Sequence, residues 1–271
     1  MRACEFFTLM GCGLLSLLCT TNTRAGDSSG AALAADREWA VIVSPYLWAG
    51  SLDGSGSLAG FDTDINVPAS EIIDHLDFVL MGNVEVTNGT WGTYLDAQHV
   101  RTSQDEELLS NEIGLDITTT WIAGGVFYKV WERETGGSTV FDKPRTISLE
   151  PTVGVRWTKL RAEASALGVS ATKSADWTDP FVGLRTNIDL SDRWNIFAEA
   201  DIGGFGIGSE LSVNAHGYLG YRTTMFGKST LLRAGYRVVY QDYENDDFTG
   251  VNKFRWDVTQ HGPVFGFSVR F

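Results

Sequence analysis

The sequence predicts an all-β fold, an antiparallel transmembrane β-barrel, and the last strand is the clearest sign. Residues 261–271 alternate between an apolar face and a small or charged face: Phe265, Phe267, Val269 and Phe271 against Gly266, Ser268 and Arg270. Chain termini fray unless they are tied down. In a closed barrel the last strand pairs with the first, which ties down an apolar strand that ends on an aromatic residue.

Two further observations predict the same fold. Leu231–Tyr243 also alternates, with an apolar face of Leu232, Ala234, Tyr236, Val238 and Tyr240. After Glu38 there is no apolar run of about 18 residues, so helical spans are excluded. The mean hydropathy of −0.06 fits a barrel, in which polar lumen residues alternate with lipid-facing apolar ones.

The chain is acidic, and this excludes one class of partner. It has 21 Lys and Arg against 34 Asp and Glu, a net charge of −13. Nucleic acid is not expected as a partner, because binding it needs a basic face.

Ten segments have strand length and period-two alternation. They are Trp39–Gly50, Phe78–Thr87, Trp91–Val100, Ile113–Trp131, Thr146–Arg161, Trp177–Leu190, Trp194–Gly204, Leu211–Arg222, Leu231–Tyr243 and Lys253–Phe271. Tight turns at 88–90, 190–193 and 226–228 alternate with longer acidic connections at Gln104–Glu112 and Glu244–Val251. Short turns of such barrels face the periplasm, and an even strand number places both termini there.

Residues 51–77 form a helix-containing excursion, on the outer side or inside the lumen. It holds a strand-like piece, Leu58–Val67, and a helix-like piece, Ala69–Leu76, with Ser70 as a candidate cap. If Leu58–Val67 spans the membrane, a further strand must exist and the count becomes twelve rather than ten.

The N-terminus has the pattern of an export signal. Arg2 precedes an apolar stretch, Phe6–Cys19, and small residues follow. We predict a signal peptide over residues 1–25, with cleavage possible as late as residue 35, and a single outer-membrane barrel domain over residues 36–271. All three cysteines lie before the cleavage sites, so the mature chain can form neither a disulfide nor a thiolate metal site.

Aromatic residues lie near strand ends, where a membrane-interface girdle needs them. They are Trp39, Trp91, Trp131, Trp157, Trp194, Tyr221, Tyr240 and Phe271.

Several segments resemble those of uncharacterised Gram-negative outer-membrane β-barrel proteins. They include PYLWAGSLDG at 45–54, DPFVGLRTNIDLSDRW at 179–194, DIGGFGIGS at 201–209 and HGPVFGFSVRF at 261–271. The resemblance covers nearly the whole mature chain. It implies the fold and a location in the bacterial outer membrane, but no reaction and no ligand.

The predicted faces place a mixed set of charges in the lumen. The lumen-lining residues are Glu85, Asp96, Glu150, Arg156, Arg185, Glu199, Asp201, His216, Arg222, Arg233 and Arg237. Two interpretations stay open: an ion-selective constriction, or a ladder of salt bridges that fills a narrow barrel.

No other cluster predicts a catalytic, cofactor or metal site. Asp62, Asp64, Asp74, His75 and Asp77 form a local carboxylate–histidine group, but their order does not match the omptin proteases, and helix caps and loops favour these residue types. We expect His99 and His261 on the outer face near a rim, and His216 in the lumen. None of the four histidines has metal-ligand spacing.

The sequence leaves three functional hypotheses. The first is a narrow, charged channel for ions or small polar solutes, and the second is a non-conducting barrel that is structural or acts through its acidic loops. The third, an outer-membrane hydrolase, has the least support, so we do not expect an enzyme. The expected partners are outer-membrane lipids and the barrel-assembly machinery, which would bind the C-terminal strand that ends in Phe271.

Overall fold

The structure is a computed structural model, and it describes residues 39–58, 61–108, 111–166, 169–245 and 254–271. The predicted signal peptide and its cleavage sites lie outside the described residues.

The described residues form thirteen strands and one short helix. In chain order these are β1 Ala40–Trp48, β2 Ser51–Leu58, β3 Phe61–Val67, α1 Ala69–Asp74, β4 Leu76–Thr87, β5 Trp91–Leu108, β6 Asn111–Tyr128, β7 Trp131–Ser138, β8 Pro144–Ala166, β9 Val169–Asp189, β10 Trp194–Gly204, β11 Leu211–Met225, β12 Lys228–Glu244 and β13 Arg255–Arg270. No helix among the described residues is long and apolar enough to cross a membrane.

Ten strands form a closed antiparallel barrel in the order β1-β4-β5-β6-β8-β9-β10-β11-β12-β13, and β13 pairs again with β1. At the closure, Val41 and Phe271 exchange both backbone hydrogen bonds, with N···O distances of 3.3 and 2.9 Å. The predicted count of ten is therefore confirmed, and the alternative of twelve is wrong. We call the end with both chain termini and the turns after β4, β9 and β11 the turn end, and the opposite end the loop end.

The two faces of each strand differ as the alternation predicts. On β8, Val153 and Val155 point outward and are 51% and 55% exposed, whereas Thr152 and Arg156, which flank them, are buried. Girdle aromatics lie at the turn end: the rings of Trp39 and Trp91 are 4.8 Å apart, and those of Trp194 and Tyr221 are 4.9 Å apart. Because water is absent from the bilayer core, a closed sheet of this kind satisfies its backbone groups internally.

The excursion between β1 and β4 is a hairpin and a helix that start from a continued strand. β2 follows β1 along β13 in the same register, since Trp48 pairs with Val264 and Ser51 pairs with His261. β3 returns along β2 and leads into α1. The predicted strand-like piece from Leu58 thus begins at Phe61, and Leu58 belongs to β2.

The prediction of Ser70 as the helix cap is wrong. The N-cap position of α1 is Pro68, whose carbonyl accepts the Glu71 and Ile72 amides, and no side chain of the helix start makes a cap bond. Ser51 Oγ accepts the Ala69 amide instead, at 3.1 Å, so β2 supplies the cap oxygen. The helix also ends earlier than predicted, at Asp74, because Leu76 already belongs to β4.

Two predicted boundaries fail because pairing continues past the barrel wall. The acidic connection Gln104–Glu112 is mostly strand, since β5 runs to Leu108 and β6 starts at Asn111. At the turn end, the strand predicted to run to Trp131 ends at Tyr128, and Trp131 begins β7. β7 continues along β8 after a one-residue bulge, since Phe127 pairs with Thr152 but Trp131 pairs with Leu149. The connection predicted at Glu244–Val251 starts with the last residue of β12, and 246–253 lie outside the described residues.

Candidate functional site

The barrel encloses a cavity of about 790 Å³, lined by inward-facing side chains of its strands. The structure places all eleven predicted lumen residues around it: Glu85, Asp96, Glu150, Arg156, Arg185, Glu199, Asp201, His216, Arg222, Arg233 and Arg237.

The cavity opens at the turn end and closes inside the barrel. Its lining at the turn end includes Glu132, Glu134 and Lys143, which are exposed. At the inner end the lining includes Arg156 and Arg237, each 1% exposed. The fall in exposure along the lining shows that water reaches the cavity from the turn end.

Two buried arginines and their carboxylates close the inner end. Arg156 Nη2 lies 2.5 Å from Asp201 Oδ1, and its Nη1 donates to Ser212 Oγ at 2.6 Å. Arg237 Nη1 donates to Asp96 Oδ2 at 3.1 Å. Both guanidinium groups also face the Trp121 ring, at 5.4 and 4.5 Å from its centroid. We call Arg156, Asp201, Arg237, Asp96 and Trp121 the closing layer.

Beyond the closing layer, buried side chains fill the interior toward the loop end. Trp48, Thr158, Trp177, Val239 and Val258 are each at most 6% exposed. Gln241 Nε2 donates to Thr158 Oγ1 at 2.9 Å across this region. A barrel of about eight strands is just filled by its side chains, so ten strands with large inward residues can be filled over part of their length.

Three glutamates surround Arg185 in the middle of the cavity. Glu85 Oε2 lies 2.8 Å from Arg185 Nη2, while Glu150 and Glu199 lie 3.8 and 3.7 Å from Nε. The sheet register explains this cluster, because Arg185 pairs with Glu150 on β8 and with Glu199 on β10. The Arg185 guanidinium also lies 3.8 Å from the Phe127 ring centroid.

The strands β11 and β12 present a more basic wall. Arg222 forms an ion pair with Asp189, and His216 Nε2 lies 3.9 Å from Glu199 Oε2. Arg233 lies over the Tyr218 ring, 4.9 Å from its centroid.

Six charged residues that line the cavity are absent from the predicted lumen set: Lys129, Glu132, Glu134, Lys143, Asp189 and Arg270. Asp189 and Arg270 continue the alternation of Arg185 and Ser268 to the strand ends, so the pattern could have found them. Lys129 likewise continues the inward alternation of Phe127 past the end of β6. The bulge before β7 reverses the alternation at Glu132 and Glu134, and no sequence signal marks it. Lys143 lies between β7 and β8, outside the predicted strands.

The carboxylate–histidine group of the excursion does not form one site in the described residues. His75 Nδ1 is bonded to the Glu71 carbonyl, and Asp77 contacts Ser103 and Arg101. The Asp62 side chain lies outside the description.

The two outer histidines have separate partners. His99 is bonded to Thr120 on the outer face, and His261 bridges Tyr236 and Asp53 near the rim. Across the described ranges, no three metal-ligating side chains lie together.

A closed barrel with an apolar outer face, a charged interior and aromatic residues at its ends defines a transmembrane β-barrel. The protein is an integral β-barrel protein of the bacterial outer membrane.

Known proteins show only distant likeness to the chain. No protein-family model and no curated protein sequence matches it.

Solved structures of outer-membrane barrels are similar to the chain in fold. Ail, the attachment invasion locus protein of Yersinia pestis, has a TM-score of 0.36 and 14% identity over 86% of this chain and 98% of its own. Neisserial surface protein A has a TM-score of 0.33 and 12% identity over 86% and 97%. The outer membrane protease OmpT of Escherichia coli has a TM-score of 0.45 and 7% identity over 87% and 97%.

Proposed function

We propose that the protein is a non-conducting barrel that holds a small polar solute in its lumen cavity, entered from the turn end. The observation that carries the proposal is the change from exposed lining at the turn end to the buried closing layer. The cavity volume of about 790 Å³ falls within the usual size of small-molecule sites. We assign no chemical reaction to the cavity.

A second candidate is a narrow channel for ions or small polar solutes, closed in this state. One observation favours it: charged groups continue from the mouth to the closing layer, where ion pairs rather than apolar contacts meet. Conduction would require these pairs to separate, and also the filled interior beyond them to rearrange.

Cysteine labelling tests the one-ended cavity. In a chain whose native cysteines are replaced by serine, we expect Asn83→Cys in the cavity to react with a charged, water-soluble methanethiosulfonate added to the folded protein. Thr158→Cys, buried beyond the closing layer, is the matched control and should not react. Equal labelling of both positions would contradict the closed inner end.

Planar-bilayer recording separates the two candidates. We expect no conductance steps from the folded wild-type barrel. Discrete steps in protein that shows the heat-dependent gel shift of a folded barrel would favour the channel.

We also propose that the C-terminal strand binds the barrel-assembly machinery through Phe271, which is 59% exposed. Phe271→Asp should lower the amount of folded barrel in outer membranes of cells, while the protein refolded in detergent keeps its unfolding midpoint. If Phe271→Asp also lowered the unfolding midpoint of the refolded protein, the loss in cells would come from lower stability and not from recognition by the assembly machinery.

A further inference from the structure

Arg233 lies inside the cavity, on the mouth side of the closing layer. On β12 it faces the same way as Arg237 and is nearer to the turn after β11. Its cross-strand partners are Gly220 on β11 and Gly266 on β13. Because both partners are glycines, neither residue directly opposite Arg233 supplies a side-chain acceptor to its guanidinium.

Arg233 also differs from four other arginines of the lumen, because those four form ion pairs. Arg156, Arg185, Arg222 and Arg237 each have a carboxylate within ion-pair distance. In the part of the chain that the structure describes, Arg233 has none, and its buried Nε has no hydrogen-bond partner. Its close contact is the Tyr218 ring, which covers one face and leaves the donor edge free. A charge removed from water is costly unless an opposite charge compensates it.

Further donors lie on the same wall. Arg222 is a diagonal cross-strand neighbour of Arg233 and keeps Nη1 without a hydrogen-bond partner within the described ranges. Arg270 lines the cavity on β13 and forms no ion pair with a described residue. The hydroxyl of Ser268, which is 2.8 Å from Ser44 Oγ, lies between Gly266 and Arg270 along β13. The carboxylates that surround Arg185 stand on β4, β8 and β10 instead.

We propose that Arg233 anchors a binding site for a small oxyanion, a carboxylate or a phosphate, with its diagonal neighbour Arg222 as a second cationic contact. The inference rests on the proposed function, because the anion must enter the cavity from the turn end. A planar guanidinium with a free donor edge matches two oxygens of such a group, and a bidentate pair of this kind is both strong and directional.

Titration calorimetry of the full chain in a detergent with an uncharged headgroup tests the site. The probes are inorganic phosphate, succinate, and methylammonium as a cation of similar size. We expect saturable binding of phosphate or succinate, and at least tenfold weaker binding to Arg233→Gln. Arg233→Lys should retain part of the affinity, because it keeps the charge and loses the fork of donors.

Arg161→Gln is the matched control, since Arg161 is an outward-facing arginine whose removal changes the net charge equally. It should bind the anions as wild type does. The heat-dependent gel shift identifies variants that remain folded.

The outcomes separate the site from the cavity function. Anion binding that Arg233→Gln leaves unchanged would overturn the site. So would binding of methylammonium alone, although the solute-binding cavity would then stand. Absence of phosphate and succinate binding in a barrel whose Asn83→Cys still labels would also overturn the oxyanion site and leave the one-ended cavity intact. Failure of the labelling experiment would remove both.

Discussion

At the scale of single residues, alternation placed the lumen charges but could not pair them. The spacing of Arg233 and Arg237 predicts one shared face, and both line the cavity. That Arg237 meets Asp96 while Arg233 meets no described carboxylate depends on which strands face each other across the barrel. Side chains of strands distant in sequence decide this, so a periodicity of two cannot supply it.

Arg156 offers a test of the closing layer. Arg156→Met should lower the free energy of unfolding by about 3–5 kcal/mol, because it leaves Asp201 buried without its partner. Urea unfolding in lipid vesicles measures this. Arg161→Met, on the same strand, breaks the exposed pair with Glu163 and should cost at most about 1 kcal/mol.

The double variant Arg156→Met/Asp201→Leu completes this test. It should be more stable than Arg156→Met alone, since it removes the uncompensated carboxylate. If Arg156→Met and Arg161→Met lowered the free energy of unfolding equally, the closing layer would not stabilise the barrel.

At the scale of elements, the strands with uninterrupted alternation were predictable and the extensions were not. The first predicted strand ends at Gly50, and no strand is predicted for residues 51–57, which are rich in Ser and Gly. In the structure, β2 instead continues β1 in register along β13. The glycines are needed there: a Cβ on Gly54 would stand 2.1 Å from the Asp257 carbonyl oxygen. Glycine in a strand can thus indicate close approach of two backbones, which composition alone does not separate from a turn.

The ladder between β11 and β12 contains a matched pair of glycines. A Cβ on inward-facing Gly235 would stand 1.9 Å from the Gly217 carbonyl oxygen, whereas a Cβ on Gly217 would be 3.7 Å from the Phe197 carbonyl oxygen. Gly235→Ala should therefore destabilise the barrel by about 1–3 kcal/mol through overpacking. Gly217→Ala should be neutral or slightly stabilising, because glycine is unfavourable in a strand that has room for a side chain. The midpoint of urea unfolding measures both effects. A lower midpoint for Gly217→Ala than for Gly235→Ala would contradict this packing.

The β7–β8 hairpin extends outside the closed ring, so it should be dispensable for folding. Glu134 pairs with Thr146, and residues 135–145 beyond this pair form the tip. Replacing 135–145 with Asn-Gly should give a two-residue hairpin turn and a barrel that still shifts on heating in a gel. Because Thr139, Phe141 and Lys143 line the cavity mouth, we expect faster labelling of Asn83→Cys in this variant. Loss of the gel shift would mean that the tip takes part in barrel closure.

At the scale of the whole molecule, the barrel was predictable because its constraints are global. The even strand number follows from both termini being at one end, and the apolar outer face follows from the lipid. The sequence left a filled interior and an open constriction as alternatives. The choice between them could not be made, because neither the volume inside ten strands nor the position of Trp121 and Trp48 can be read from single strands.

The position of the barrel in the bilayer gives a final test. On β9, Val182 pairs with Val153 in the outward apolar band and is 50% exposed, while Thr178 pairs with Trp157, an aromatic of the predicted girdle. Val182→Arg should cost about 2–4 kcal/mol, because it places a charge near the bilayer midplane, and Thr178→Arg at most about 1 kcal/mol near the interface. Urea unfolding in vesicles measures both. Equal losses of unfolding free energy in the two variants would place the membrane elsewhere along the strands. A larger loss for Thr178→Arg would put the hydrocarbon core nearer the loop end, around the filled half of the barrel. The expected order instead places the core around the cavity, so that a solute held by the lumen arginines lies at membrane depth, shielded from lipid by the strands.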